Sequence, residues 1–317
     1  MESAILIAGP TASGKSRLAI ELVQALANDQ GAVIINGDSM QVYAELRLLT
    51  ARPSAAEEAA APHRLYGFVS AAQAFSVGRW VTHALSEIAQ ARQGGQVPIV
   101  VGGTGLYFQA LTEGLAEIPQ VSDEARLEAR QRLDELGPGG LHDVLGQRDP
   151  EMAARLQATD AQRLVRAYEV LISTGVSLAD WQRRPATTPV LRGPWRGFVL
   201  NRPRADLYRR CDERLAAMLD QGALEEVAEL AAMNLDPALP AMKALGVPDL
   251  IRLTRGEISR ADALAAAQQA TRRYAKRQMT WFRNKMCSWQ SINTQDSERL
   301  SEIIIPFISK NQLTPTN

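Results

Sequence analysis

Gly9, Pro10, Thr11, Ala12, Ser13, Gly14, Lys15 and Ser16 form a complete G-x-x-x-x-G-K-S run directly after an apolar stretch, residues 4–8. The glycines let backbone N–H groups turn inward around an anion. A helical pattern follows, and its N-terminus offers more N–H groups to the same anion. Lys15 adds a positive charge, and the Ser16 hydroxyl is of the kind that reaches a magnesium ion. These residues predict a di- or triphosphate site. A chance glycine-rich turn is the bland alternative, and the apolar run before it and the helical pattern after it argue against that.

A second cluster follows the next apolar run, where the chain reads Asn36, Gly37, Asp38, Ser39, Met40, Gln41, Val42, Tyr43. Asp38 is open to three readings: a magnesium ligand of the Walker-B type, a helix N-cap, or a carboxylate facing a reacting partner where open α/β sheets bind ligands. Spacing does not choose among them. The third run ends in Gly102, Gly103, Thr104, Gly105, Leu106, Tyr107, which would bring the Thr104 hydroxyl to the same rim. An ordinary tight turn capped by threonine is the alternative there.

The apolar runs 4–8, 32–36 and 97–101 are continuous rather than alternating. They predict strands covered on both faces of a parallel sheet, and helical spacing over 15–27 and 76–93 completes a βα alternation. Beyond about residue 114 the chain becomes charged and rich in Ala and Leu, predicting helices over 122–136, 160–173, 204–219, 224–233 and 259–283. A late run at 195–200 predicts one more strand. The expected fold is therefore α/β: a P-loop-type parallel-sheet core with an inserted helical domain and a helical C-terminal half. Its expected parts are 1–118 with 193–310 for the core, 119–192 for the insertion and 311–317 as a disordered tail. The Gly-Pro-Gly-Gly run at 137–140 predicts a helix break inside the insertion.

Thirty-five basic residues balance 35 acidic ones. This excludes a uniformly basic nucleic-acid coat protein but not a local patch. One such patch is legible: residues 263–295 hold no acid but carry Arg272, Arg273, Lys276, Arg277, Arg283 and Lys285, with Tyr274, Trp281 and Phe282 between them. On a helix, Arg273, Lys276, Arg277 and Thr280 share a face. That pattern suits phosphate contacts and base stacking in RNA; a solvated amphipathic helix with core aromatics is the alternative. The cysteines, Cys211 and Cys287, form no Cys-x-x-Cys pair, and His63, His83 and His142 do not cluster in sequence. Neither a disulfide framework nor a zinc site is expected. No run approaches the roughly 18 apolar residues of a membrane helix, and the first run is too short for a signal-peptide core. A cytoplasmic protein, without membrane attachment and monomeric, is expected.

Taken together, GPTASGKS, DSMQVY and GGTGLY in this order resemble the tRNA dimethylallyltransferase family. The resemblance extends through the D-x-Q-R segment at Asp160, Gln162 and Arg163, and through the long run from Thr271 to Arg283, similar to the family's T-R-x-x-A-K-R-Q-x-T-W-x-R. It covers about residues 4–290. Two departures stand out: Ala244, Leu245, Gly246, Val247 and Pro248 replace the usual A-I-G-Y and basic residue, and Gln157 and Thr159 stand where His and Asn are common. Without a Cys/His zinc-finger extension, the chain resembles bacterial-type members.

The resemblance implies transfer of a dimethylallyl group from its diphosphate to N6 of adenosine 37 in tRNA, with Mg2+ as cofactor and the phosphate loop holding the leaving diphosphate. It implies Asp38 as the proton acceptor, Thr104 beside the adenine, Arg214 on the diphosphate and Ser16 toward the metal. The tRNA-contacting residues it implies are Asp38, Ser39, Met40, Gln41 and Thr104; Arg126; Gln162, Arg163, Leu164, Val165 and Arg166; Lys243, Ala244, Leu245 and Gly246; and Lys276, Arg277, Gln278, Met279, Thr280, Trp281, Phe282 and Arg283. The insertion would close on the anticodon stem-loop, whose adenine must be flipped out to react. Other readings of the phosphate loop are a nucleoside or nucleotide kinase, a prenyltransferase acting on free AMP or ADP, and an RNA-binding phosphate-loop switch.

Overall fold

The computed structural model describes residues 3–186, 190–293 and 304. Along the chain come β1 (Ala4–Ala8), α1 (Lys15–Leu26), β2 (Ala32–Asn36), α2 (Ala55–Ala60), the two-residue β3 (His63–Arg64), α3 (Val77–Gln93), β4 (Val97–Gly102) and α4 (Gly105–Glu113). Four helices follow, α5 (Asp123–Arg148), α6 (Pro150–Arg155), α7 (Ala161–Thr174) and α8 (Leu178–Arg183). The chain ends its described part in β5 (Trp195–Asn201), α9 (Arg204–Asp220), α10 (Ala223–Ala232), α11 (Val247–Thr254), α12 (Arg260–Lys285) and β6 (Gln290–Asn293).

The six strands form one parallel sheet in the order β3-β2-β4-β1-β5-β6. Every residue of β1, β2 and β4 is buried, as continuous apolar runs require. Leu18, Leu22 and Leu26 of α1 pack with Ile5, Ile7, Ile34, Ile99 and Phe198 of the sheet in one cluster. Each such side chain, fully buried, is worth about 1.5–3 kcal/mol. The carboxyl ends of β1, β2 and β4 lie side by side, so the turns that leave them converge on one rim.

The described residues of Met1–Thr112 and Val190–Asn317 form one compact unit, and those of Glu113–Pro189 a second. The helical unit starts at Glu113, ahead of the expected residue 119, and Ile118 packs on its core of Val121, Leu141, Leu145, Leu164 and Tyr168. The expected break falls inside α5: Gly137 leaves helical geometry (φ 66, ψ 177) just before Pro138, and a second helical stretch resumes at once. The expected tail at 311–317 lies outside the described residues. Among the described residues, no helix is long and apolar enough to cross a membrane.

Candidate active site

The phosphate loop joins β1 to α1. Gly14 sits at the helix N-cap with φ 97, a conformation that glycine adopts without strain. Ala12 holds φ 62, where a Cβ is disfavoured by about 1 kcal/mol or more. The loop is closed by Ser13 N–H donating to the Pro10 carbonyl at 3.2 Å, and the Lys15 ammonium donates to the same carbonyl at 3.3 Å. Burial pulls Lys15 down to about 8, with Asp38 opposing and Arg214 assisting the shift.

Asp38 is held by a residue that the sequence reading passed over. Asn36 ends β2 with 0 % exposure. Its Oδ1 accepts the Asp38 N–H at 2.8 Å, and its Nδ2 donates to the carbonyls of Asp38 (2.9 Å) and Leu65 (3.0 Å). The buried Trp80 indole donates to the Asn36 carbonyl at 2.8 Å. A polar residue closing the otherwise apolar Ala-Val-Ile-Ile-Asn run was the available signal, since buried amides are kept for their hydrogen bonds. Asp38 Oδ1 accepts the Met40 N–H at 3.0 Å. No helix starts here, the next being α2, so the N-cap reading of Asp38 is corrected to a turn that holds its own carboxylate.

The turn after β4 meets this one across two glycines. Gly37 donates its N–H to the Val101 carbonyl at 2.7 Å, and a Cβ at Gly102 would lie 1.9 Å from the Gly37 carbonyl oxygen. Thr104 then reaches Ser39, accepting its N–H at 2.9 Å and donating its hydroxyl to Ser39 Oγ at 3.2 Å.

α9 and α12 wall the site. Arg214 lies against the loop, with its guanidinium donating to Thr11 Oγ1, and burial lowers its pKa. It is not a solvated helix-face charge. Burial first, and then the neighbouring Asp38 charge, push the Tyr274 phenol up, so it stays protonated beside Thr104.

Two chambers open here. One, of about 530 Å³, is lined by Lys15, Arg17, Arg52, Arg210 and Arg214 against Asp38, Glu57 and Glu213, five cations to three carboxylates. The other, of about 240 Å³, is walled by Leu49, Leu215, Met218 and Leu245, with Lys243, Ala244, Tyr274 and Arg277 also at its lining. They share Thr11, Asp38, Thr50 and Arg214. Arg52 was missed in sequence because a lone Arg before a proline carries no motif.

The structure thus brings Asp38, Ser39, Met40, Lys243, Ala244, Leu245 and Arg277 around one chamber; Gly246, buried and at φ 86, starts α11 beside Leu49. On α12, Arg273, Lys276, Arg277, Thr280 and Arg283 are exposed. Arg272 is not part of that face: it forms a pair with Asp212 of α9 at 2.7 Å to both carboxylate oxygens, an acid that the run 263–295 could not reveal. The expected RNA-facing side chains are corrected at three further positions. Phe282 is 2 % exposed and Leu164 0 %, and both side chains are spent on packing. Gln278 is 5 % exposed and its amide is bound within the protein. Trp281 lies against Gly105, and Met279 and Val165 pack partly on buried clusters.

In the helical unit, Arg126, Gln162, Arg163 and Arg166 are exposed. Asp160 caps α7 by accepting the Arg163 N–H at 3.3 Å, which accounts for the acid of the D-x-Q-R segment. Val247 is buried and Pro248 occupies the first turn of α11, a position where its missing N–H costs nothing.

Among the described residues, no group of three His, Cys, Asp or Glu side chains is arranged to hold a metal. The oxygen donors around the cationic chamber, Ser16 with Asp38 and Glu57, fit magnesium held by few protein oxygens and by substrate phosphates.

Comparison with known proteins agrees with this geometry. A family model described as IPP transferase matches residues 41–285, and one described as isopentenyl transferase matches residues 2–71. The chain is 51 % identical over 310 residues to a tRNA dimethylallyltransferase of Rhodospirillum rubrum, covering 98 % of this chain and 91 % of the relative. It is 54 % identical over 299 residues to one from Rhodopseudomonas palustris, covering 93 % and 90 %. Among solved structures it resembles a tRNA isopentenylpyrophosphate transferase from Bacillus halodurans, with TM-score 0.68, 29 % identity, and 98 % and 96 % of the two chains covered. It also resembles a eukaryotic dimethylallyltransferase acting on tRNA, with TM-score 0.78, 25 % identity, and 99 % and 82 % covered. With its phosphate loop, its parallel sheet and full-length relatives at about half identity, the chain belongs to the IPP transferase family of tRNA dimethylallyltransferases.

Proposed function

We infer that this enzyme moves a dimethylallyl group from dimethylallyl diphosphate to N6 of adenosine 37 in tRNA, releasing diphosphate. The observation that carries the reading is the meeting of a cationic chamber and an apolar chamber at Asp38 and Arg214. A prenyl diphosphate has the same two-part character. Its diphosphate suits the loop N–H groups, Lys15 and Arg214, while its five-carbon chain suits Leu49, Leu215 and Met218.

The reaction breaks the allylic C–O bond and forms a C–N bond to the exocyclic amine. Negative charge grows on the departing diphosphate, where Lys15, Arg214 and backbone N–H groups fixed in advance stabilise it. Ser16, together with the diphosphate itself, would hold a magnesium ion, which would add charge neutralisation there when bound. The amine becomes cationic as it attacks, and Asp38 at the junction accepts its proton. The turn built by Asn36, Met40 and Thr104 keeps that carboxylate in place. Thr104 also faces the adenine. The exposed basic face of α12 takes the RNA backbone, and Arg126, Gln162, Arg163 and Arg166 of the helical unit take the anticodon stem-loop. The protein acts as a cytoplasmic monomer.

A kinase would need the apolar chamber to hold a nucleoside, and it leaves the basic face of α12 without a role. Incubation with labelled dimethylallyl diphosphate, magnesium and tRNA tests the choice. Label in the tRNA at adenosine 37 is expected; phosphoryl transfer from ATP to a nucleoside, with no labelled tRNA, would establish the kinase instead.

A further inference from the structure

Gln278 uses both ends of its buried amide. Its Oε1 accepts the Thr11 N–H at 2.9 Å, and its Nε2 donates to the Gly103 carbonyl at 2.7 Å. Those partners lie 267 and 175 residues away in sequence, one in the phosphate loop and the other in the turn that carries Thr104. Moving either one strands a buried polar group, so the amide fixes the spacing between the two turns. The contact is tight on the Gly103 side, where a Cβ would lie 2.3 Å from Nε2 and 3.2 Å from Asp38 Oδ2. On the other side, Thr11 is also held by Arg214 through its hydroxyl.

The strut projects from α12, and the opposite face of that helix is the exposed basic one. Lys276, Thr280 and Arg283 stand outward while Gln278 stands inward. Arg277, next to Gln278, is exposed and also borders the apolar chamber. A helix gripped by RNA on its outer face is therefore gripped by the phosphate loop on its inner one.

We propose that Gln278 is a positioning residue through which tRNA bound on α12 sets the phosphate loop, so that the diphosphate substrate is held more tightly once tRNA is in place. The two states differ in whether the amide is seated on both Thr11 and Gly103. RNA favours the seated position of α12, and the loop ordered by it favours the anion. Linkage makes the effect mutual: the diphosphate tightens RNA binding by the same factor. The inference rests on the loop being the diphosphate site and on α12 being the RNA face.

Calorimetric titration of inorganic diphosphate with magnesium, into protein alone and into protein saturated with an anticodon stem-loop RNA, measures the coupling. In the wild type, RNA should tighten diphosphate by a factor of about five or more. Gln278→Met keeps the length of the side chain but neither hydrogen-bonding end. There the factor should fall to about one, with affinity for RNA alone within about twofold of wild type. Turnover should show the same split, a raised KM for dimethylallyl diphosphate at saturating tRNA with the tRNA KM preserved. Gly103→Ala, which drives a methyl group against Nε2 with Gln278 still present, should also lose the coupling. Gln278→Glu keeps the shape and the acceptor, and it replaces Gln278→Met if that variant does not fold. An unchanged factor in a folded variant, or no RNA effect in the wild type, overturns the proposal. Failure of the wild type to prenylate tRNA would overturn the functional reading instead, so the two failures are distinguishable.

Discussion

Thr104 holds Ser39 with both functions of one hydroxyl, accepting the Ser39 N–H at 2.9 Å and donating to Ser39 Oγ at 3.2 Å. This clasp joins the turn after β4 to the turn after β2, and Asp38 lies inside it. Thr104→Val keeps the shape and removes both bonds. It should lower stability by about 1–3 kcal/mol, through the stranded Ser39 N–H, and reduce single-turnover prenyl transfer. Thr104→Ser should retain most of both. Denaturant melts and rapid-quench assays measure this; a fully active Thr104→Val enzyme would show that the clasp has no part in placing Asp38.

Asp38→Asn preserves size and removes the proton acceptor. Single-turnover transfer at saturating substrates should fall by about 10²- to 10⁴-fold, while tRNA affinity changes by no more than about a few fold. A rate near that of the wild type would mean that the proton leaves by another route.

Lys15 gives the binding of dimethylallyl diphosphate a pH signature. Burial sets its pKa at about 8 in the free protein. A bound anion favours the charged ammonium and raises that value, so binding takes up a proton near and above pH 8. Affinity should be at its full value below pH 8 and fall as pH rises through it, by up to about tenfold per unit. Titration in buffers of different ionisation enthalpy reads the uptake directly. Lys15→Met should bind weakly at every pH and show no uptake; an unchanged profile in that variant would assign the proton elsewhere.

Lys276 and Arg283 test the RNA face apart from the chambers, because neither lines them. Replacing both by alanine should weaken tRNA binding and flatten its log–log salt dependence by roughly 0.7 per lost single-strand contact. Binding of dimethylallyl diphosphate without RNA should be unaltered. If tRNA affinity and its salt slope both survive, this face is merely solvated.

Gly102→Ala probes the seam between β2 and β4. The added Cβ would meet the Gly37 carbonyl oxygen at 1.9 Å and its carbon at 2.0 Å, backbone atoms that no rotamer change can move. The strands must part, at a cost of about 3 kcal/mol or more. The midpoint of urea unfolding reports it, and an unshifted midpoint would mean that the sheet absorbs a methyl group at this seam.

The sheet was legible because β1, β2 and β4 are continuous buried runs and β5 carries an apolar stretch at residues 198–200 after Arg196 and Gly197, a pattern that survives without any tertiary information. The two-residue β3 and the polar β6, of which only Ile292 is buried, carry no such pattern and exist only by pairing with neighbours. The phosphate loop could be read for a similar reason: its chemistry lies in consecutive residues. Asn36 and Gln278 act through contacts far along the chain, and nothing local distinguishes a glutamine that braces two loops from one that meets RNA. The basic run on α12 was over-read at Arg272 and Phe282, because a linear stretch cannot show that Asp212 and the core are already waiting for them.

Leu191 donates its N–H to the Leu111 carbonyl at 2.8 Å, so the chain leaves the sheet unit and re-enters it at nearly the same point. The helical unit is therefore spliced into a loop whose ends are already fastened together. Closing a flexible loop costs an entropy that grows only with the logarithm of its length. The sheet would thus be nearly indifferent to whether a long helical excursion or a short turn bridges those ends. In evolutionary terms, the sheet unit with its phosphate loop and the helical unit can be acquired, enlarged or exchanged separately. A chain with residues 113–189 replaced by a brief glycine-rich bridge should keep its parallel sheet and capture diphosphate while losing its discrimination among RNAs.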